Sequence, residues 1–223
     1  MSWIKEYASS SIGKKQIMAK TGAVLSLFLL GHLLGQLPLL LQDADSFNKY
    51  AHLLTANKAI YYTVEVILTL IVLVHITLAI KTKAENKKAR GIAYNVKACK
   101  GDKGIASFTM VPTGILIALF LILHISTFRN GAYYVTTVDG VVMRDIYKLV
   151  VEEFSQLWYS AIYIVAMGVM GFHLRHGVSS MFQTFGLNHP KYNDKFDKLA
   201  IAYATFIAVA NSIIIITVMV RGA

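Results

Sequence analysis

The sequence predicts an all-α membrane protein of five transmembrane helices, and three observations carry that prediction. Of its 223 residues 56% are hydrophobic and only 15% charged, whereas an ordinary soluble domain carries about 25% charged residues. Mean hydropathy is +0.54. Five apolar windows, 21–42, 59–80, 104–128, 154–174 and 199–220, are each 21 to 25 residues long, and a helix crossing a bilayer needs about 20. Finally, 33 of the 34 charged residues avoid those windows. A net charge of +10 would favour nucleic-acid binding in a soluble protein. Here the placement of the charges excludes nucleic acid as a partner.

The elements follow in order. Residues 3–20 are polar and amphipathic, and the window after them is longer than a signal h-region, so no cleavable signal peptide is expected. The first helix covers about 21–42, and a short outer loop spans 42–58. The second helix covers 59–80, with Glu65 its only charge. Residues 81–103 form a polar inner loop, helical in part, and the third helix runs 104–128. In the outer segment 129–153, Ile146, Leu149, Val150 and Phe154 recur at amphipathic spacing, which predicts a helix over 143–154 lying on the outer surface. The fourth helix covers 154–174 and runs on to 176; the fifth covers 199–220. Strands are disfavoured because hydrocarbon cannot satisfy open sheet edges. One helical bundle takes up residues 1–223 as a single domain.

Basic residues set the orientation. With the N-terminus inside, 16 Lys and Arg fall on inner segments and six on outer ones: Lys49, Lys58, Arg129, Arg144, Lys148 and Arg221. That bias predicts N-terminus in and C-terminus out. The inner basic surface has two readings, contact with anionic lipid or docking of a cytoplasmic partner. The single cysteine, Cys99, excludes intramolecular disulfides, a Cys-ligated iron–sulfur cluster and C-x-x-C-H haem attachment.

Histidine carries the chemistry. Of seven histidines, four lie in apolar windows, one in each of the first four: His32, His75, His124 and His173. An ionisable side chain at membrane depth is costly, so it is a functional hypothesis by default. One such histidine could merely bond a neighbouring helix. Four, one per helix, fit two bis-histidine metal sites, and haem iron takes axial imidazole from facing helices of a bundle. Zinc or copper would favour tighter clusters. From the window centres, His75 lies roughly 8 Å and His173 roughly 13 Å inward, His32 near the midplane and His124 roughly 12 Å outward. The ranking pairs His75 with His173 and His32 with His124.

Two further patterns bear on the pairs. Gly22 of Thr21-Gly22 precedes His32 by ten residues, and Gly114 of Thr113-Gly114 precedes His124 by the same ten. Gly31, Gly35, Gly168 and Gly171 gather near His32 and His173, giving room for a flat macrocycle or simply for close helix packing. Arg175 and His176 are candidates to neutralise haem propionates, with snorkelling the alternative for Arg175.

The chain resembles a family on these residues: Ser9-Ser10-Ser11-Ile12-Gly13-Lys14-Lys15, Ile17-Met18-Ala19 and Thr21-Gly22 leading to His32; Phe47-Asn48-Lys49-Tyr50-Ala51; and Phe172-His173-Leu174-Arg175-His176-Gly177 with Phe185-Gly186 beyond. It is similar to the five-helix, dihaem cytochrome b membrane anchor of succinate:quinone oxidoreductases, the succinate dehydrogenases and fumarate reductases. The resemblance covers nearly the whole chain. It implies a haem-binding helical bundle in a bacterial cytoplasmic (inner) membrane, with two b haems on His32, His75, His124 and His173. It further implies a flavoprotein subunit and an iron–sulfur subunit on the cytoplasmic face, with menaquinone or another quinone as lipid partner. The chain itself would carry electrons and bind quinone without dicarboxylate chemistry. One departure stands out: some members carry a carboxylate near the ligand on the fourth helix for proton movement, and 154–174 has no Asp or Glu.

A quinone also needs a proton-exchanging group. Glu65 is ten residues outward from His75, roughly 15 Å along the axis, and desolvation there would raise its pKa. Asn48 and His52 could add hydrogen bonds to a quinone carbonyl. The alternative for Glu65 is a helix cap or an ion pair with Lys58 or Arg129. Two rival functions stay open: the dihaem b subunit of another respiratory oxidoreductase, and a histidine-lined proton or ion transporter, though the broken helices of the latter are not evident.

Overall fold

The computed structural model describes residues 2–90 and 102–222, with side chains for 2–89 and 109–222. It holds five helices long and apolar enough to cross a membrane, so the chain is an all-α multi-pass membrane protein. The order is α1 (Trp3–Ser9), α2 (Ser11–Gly35), a 3-10 turn (Leu37–Leu41), α3 (Ala44–Ala56), α4 (Lys58–Arg90), α5 (Asp102–Phe128), β1 (Val135–Val138), β2 (Val141–Arg144), α6 (Ile146–Ser155), α7 (Leu157–Thr184) and α8 (Asn193–Gly222).

The helices outrun the apolar windows, because apolarity marks membrane depth and capping marks the ends. The helix α2 starts ten residues before its window, where the Ser10 hydroxyl accepts the Gly13 N–H at 2.9 Å. It stops at Gly35, and Pro38 falls in the 3-10 turn, since proline cannot continue a helical ladder. At 33 residues, α4 is roughly 50 Å long against hydrocarbon of about 30 Å. Its last turns therefore stand outside the apolar layer, where Lys14 of α2 donates to both Glu85 oxygens at 2.7 Å. Much of the expected inner loop is thus helix; Cys99 and the lysines at 97 and 100 lie outside the described residues. The fourth span begins at Leu157 and not at 154, because Gln156 is extended (ψ 113°) and separates α7 from α6.

Two segments expected on the outer side correct the sequence reading. The expected loop 42–58 is the helix α3, capped by the Asp43 carboxylate on the Ser46 N–H at 2.9 Å. The segment 129–153 contains a hairpin as well as the expected surface helix. Val135 pairs with Arg144 and Val138 with Val141, and Asp139 (φ 49°) and Gly140 (φ 77°) make the turn. Two positive φ angles are what a type I′ two-residue hairpin turn requires, and Asp-Gly is among its strongest local signals. The helix α6 is capped by Asp145 on the Lys148 N–H at 3.0 Å and buries Leu149, Val150 and Phe154.

The packed core belongs to α7 and α8. Tyr159, Tyr163, Met167, Met170, Leu174 and Val178 recur every three or four residues along α7 and are buried, a stripe that a helix presents to one neighbour. A Cβ at Gly171 would lie 3.1 Å from the Ala208 Cβ, so this glycine serves close packing of α7 on α8. By contrast, no described side chain of α4 or α5 is buried. The helix α4 rests on α2, and α5 on α7.

This arrangement repeats. Helices α2, α3 and α4 run span, surface helix, span, and α5, α6 and α7 do the same, with the hairpin between α5 and α6. Both surface helices are aspartate-capped. Asn48 joins them: its amide donates to Asp145 at 2.9 Å and its carbonyl accepts the Tyr147 N–H at 3.0 Å. The two units stand side by side in the same sense, with α8 added beyond.

Candidate functional site: two levels of histidine

The four intramembrane histidines fall at two levels. Eleven positions along α2 separate Thr21, at the inner level, from His32, at the outer; that is roughly 16 Å at helical rise. On α7, His173 and Tyr163 span the same two levels.

At the inner level His75 projects from α4. Its Nδ1 lies 3.0 Å from the Thr21 Oγ1 and 3.2 Å from the Met18 carbonyl of α2. Thr21 itself donates to the Ile17 and Met18 carbonyls at 3.0 and 2.9 Å. His173 of α7 repeats the arrangement. Its Nδ1 is 3.1 Å from the Thr113 Oγ1 of α5, and Thr113 donates to the Thr109 and Met110 carbonyls at 2.8 and 3.1 Å. The Met110 carbonyl and His75 lie in the electrostatic surroundings of His173. Glycine follows each threonine where a ring comes close: a Cβ at Gly22 would crowd the His75 Cε1 at 3.2 Å, and one at Gly114 would reach ordinary contact with the His173 Cε1 at 3.4 Å.

At the outer level His32 of α2 faces His124 of α5, with ring centres 5.8 Å apart and planes at 85°. Phe28 stacks on His32 at 5.6 Å, and Phe120 and Phe128 flank His124 at 5.9 and 5.3 Å. The His124 Nδ1 meets the Tyr163 hydroxyl at 3.2 Å, and Tyr159 donates to that hydroxyl at 2.9 Å. Both tyrosines are buried.

Of the pairs expected from depth, His32 and His124 face each other directly, while His75 and His173 sit in matching cradles at the other level. Each pair joins helices with little or no direct packing, α2 with α5 and α4 with α7. Facing imidazoles at such seams are what a ligand bound between helices would use. Two imidazole nitrogens on opposite sides of one metal, each at about 2.0–2.1 Å, put their ring centres roughly 6 Å apart, and the outer pair is close to that separation. Among the described residues no three of His, Cys, Asp and Glu converge on one point, so the donor sets are pairs. A Cβ at Gly31 or Gly168 would meet nothing within 4 Å, whereas Gly35 abuts Tyr50 and Gly171 abuts α8. Of the four glycines noted in the sequence, two thus serve helix contacts.

The remaining candidates sit elsewhere. Arg175 is exposed on α7 and His176 half-buried, the latter feeling the Asp197 carboxylate. Glu65 pairs with Arg129 at 3.1 and 3.4 Å, and the guanidinium lies over the Tyr61 and Tyr62 rings at 5.3 and 5.9 Å. That is one of the two ion pairs foreseen as the alternative role. Asn48 is 2% exposed with both ends of its amide engaged, so it pins α3 to α6. His52 is half-buried on α3. Outside the spans, burial and the neighbouring Glu152 hold the Glu153 carboxyl above the usual range, and the Tyr134 phenol is raised by its bond to Glu152.

Sequence reasoning missed Met18, Met110, Tyr159 and Tyr163. The methionines could have been found, because Met-x-x-Thr-Gly occurs at 18–22 and again at 110–114. Nothing local marks the tyrosines. Searches against protein-family models, curated proteins and solved structures gave no match.

Proposed function

We propose that the chain is a dihaem cytochrome b anchor that carries electrons across a membrane between a cytoplasmic iron–sulfur partner and quinone, as its resemblance to the succinate:quinone oxidoreductase anchors implies. The observation that carries the reading is the placement of four histidines from four helices at two levels, roughly 16 Å apart along the bundle, with His32 facing His124 at one of them. That stacking suits sequential one-electron transfer. Bound there, b haem supplies one-electron chemistry whose potential the protein tunes through ligation, burial and local charge.

The chain's own residues have definite tasks in this reading. His75 and His173 hold the inner group and His32 and His124 the outer one, while Phe28, Phe120 and Phe128 keep water from the outer pair. The basic inner end, including Lys15, Lys81, Lys83, Lys87 and Lys88, steers an acidic partner and weakens its hold as salt rises. The quinone belongs at the outer end beside Glu65, whose ion pair with Arg129 must loosen before the carboxylate can exchange a proton.

The decisive experiment is a reduced-minus-oxidised spectrum of the purified chain with haem quantified. Two low-spin b haems are expected. His75→Ala and His173→Ala should each remove one and the same haem, and His32→Ala and His124→Ala the other. A haem-free protein overturns the proposal, and loss of different haems within a pair overturns the ligand assignment.

A further inference from the structure

The duplicated threonine cradle settles a question that ligation alone leaves open, namely which imidazole nitrogen faces the seam. A backbone carbonyl can only accept, so the Met18 carbonyl 3.2 Å from the His75 Nδ1 requires a proton on that nitrogen. The Thr21 hydroxyl cannot supply one, because its own proton goes to the carbonyls one turn back at 2.9 and 3.0 Å. Its oxygen is left as a second acceptor at 3.0 Å. His173 repeats the arrangement: its Nδ1 lies 3.1 Å from the Thr113 oxygen, whose proton goes to the Thr109 and Met110 carbonyls one turn back, so that oxygen too is left as an acceptor. Both rings are thereby Nδ1–H tautomers, with the bare Nε2 lone pair turned away from the cradle.

We infer that Thr21 and Thr113 are paired positioning residues that lock His75 and His173 as Nδ1–H tautomers and tune the metal held between them. The inference rests on the dihaem reading and adds to it a difference between the two levels. A ligating histidine whose second nitrogen donates to an oxygen is held in orientation and made a stronger donor. Stronger donation favours the oxidised metal. The outer level is built differently: the His124 Nδ1 meets a tyrosine hydroxyl, which can donate as well as accept, and His32 stacks on Phe28.

Thr21→Val and Thr113→Val keep the shape of the side chain and remove the oxygen. In the purified, haem-loaded chain each should move the midpoint potential of one haem positive, and the same haem in both variants. The low-spin electron paramagnetic resonance signal of that haem should shift too, while the other haem stays fixed. Thr21→Ser and Thr113→Ser should restore both readouts. Loss of the inner haem alone, reversed by serine, supports the cradle equally. Two haems whose potentials and signals stay unchanged in both valine variants overturn it. If the wild-type chain carries no haem, the functional proposal falls by itself, and nitrogen-15 spectra of labelled histidine then judge the cradle. Nδ1–H tautomers at His75 and His173, lost with valine, sustain it; Nε2–H tautomers sink it.

Discussion

In the first half of the bundle Thr21 on α2 meets His75 of α4 at 3.0 Å, and in the second Thr113 on α5 meets His173 of α7 at 3.1 Å. Ten residues outward from those histidines the halves part company. Position 65 on α4 is glutamate and position 163 on α7 is tyrosine. Tyr163 is 4% exposed and bonded to His124, whereas Glu65 is a half-exposed carboxylate paired with Arg129. Aromatic packing accounts for the difference. Phe120 and Phe128 of α5 and Phe154 of α6 enclose Tyr163, where a neutral phenol is the polar group that burial tolerates. No described side chain of α4 is buried, so an ion can stand at position 65. The halves agree where two rings must be presented alike, and they differ where only one is enclosed.

Glycine tests the agreement most severely. Gly22→Ala places a methyl 3.2 Å from the His75 ring, and such overpacking costs about 1–3 kcal/mol. Gly114→Ala meets the His173 ring at 3.4 Å, an ordinary van der Waals distance, and should be close to neutral. The thermal midpoint in detergent should therefore drop for Gly22→Ala and stay near that of the parent chain for Gly114→Ala. Equal tolerance of alanine at both positions would remove the case for a tight fit beside His75.

The tie between the halves comes next. Asn48→Ala deletes both bonds to α6 and strands the Tyr147 N–H, a loss of about 1–2 kcal/mol. Faster hydrogen exchange confined to α3 and α6 is expected, with both histidine levels intact. An exchange change that instead spreads to α4 and α7 would show that the surface helices also set the histidine pairs.

The smallest effect probes the outer asymmetry. Tyr163→Phe leaves the Tyr159 hydroxyl without its acceptor, at about 1 kcal/mol, and frees the His124 Nδ1. Any spectral change should be confined to the His32–His124 level, and Glu65→Gln should leave that level untouched. A response at the inner level to Tyr163→Phe would contradict the separation of the two.

The sequence by itself determined that the chain crosses a membrane five times and that four helices each carry one histidine. Hydrocarbon allows few charges and forces the backbone into helices, so both facts can be read from residue type and spacing. Depth along each window even ranked His32 with His124, which face one another, because rise per residue is nearly constant. The surface helix α3 went unread because its apolar residues are too few to stand out against a bundle this hydrophobic. The hairpin was readable from Asp139-Gly140 and was passed over as loop. What only the tertiary structure decided was the company each histidine keeps. The meaning of the two Thr-Gly pairs is an example: each precedes a histidine on its own helix yet serves a histidine on another. Asn48 and Tyr163 took their roles in the same way, from partners 97 and 39 residues distant. A hydrogen bond of that kind depends on how helices rotate and cross as they pack, and local periodicity does not encode which neighbour a helix will meet.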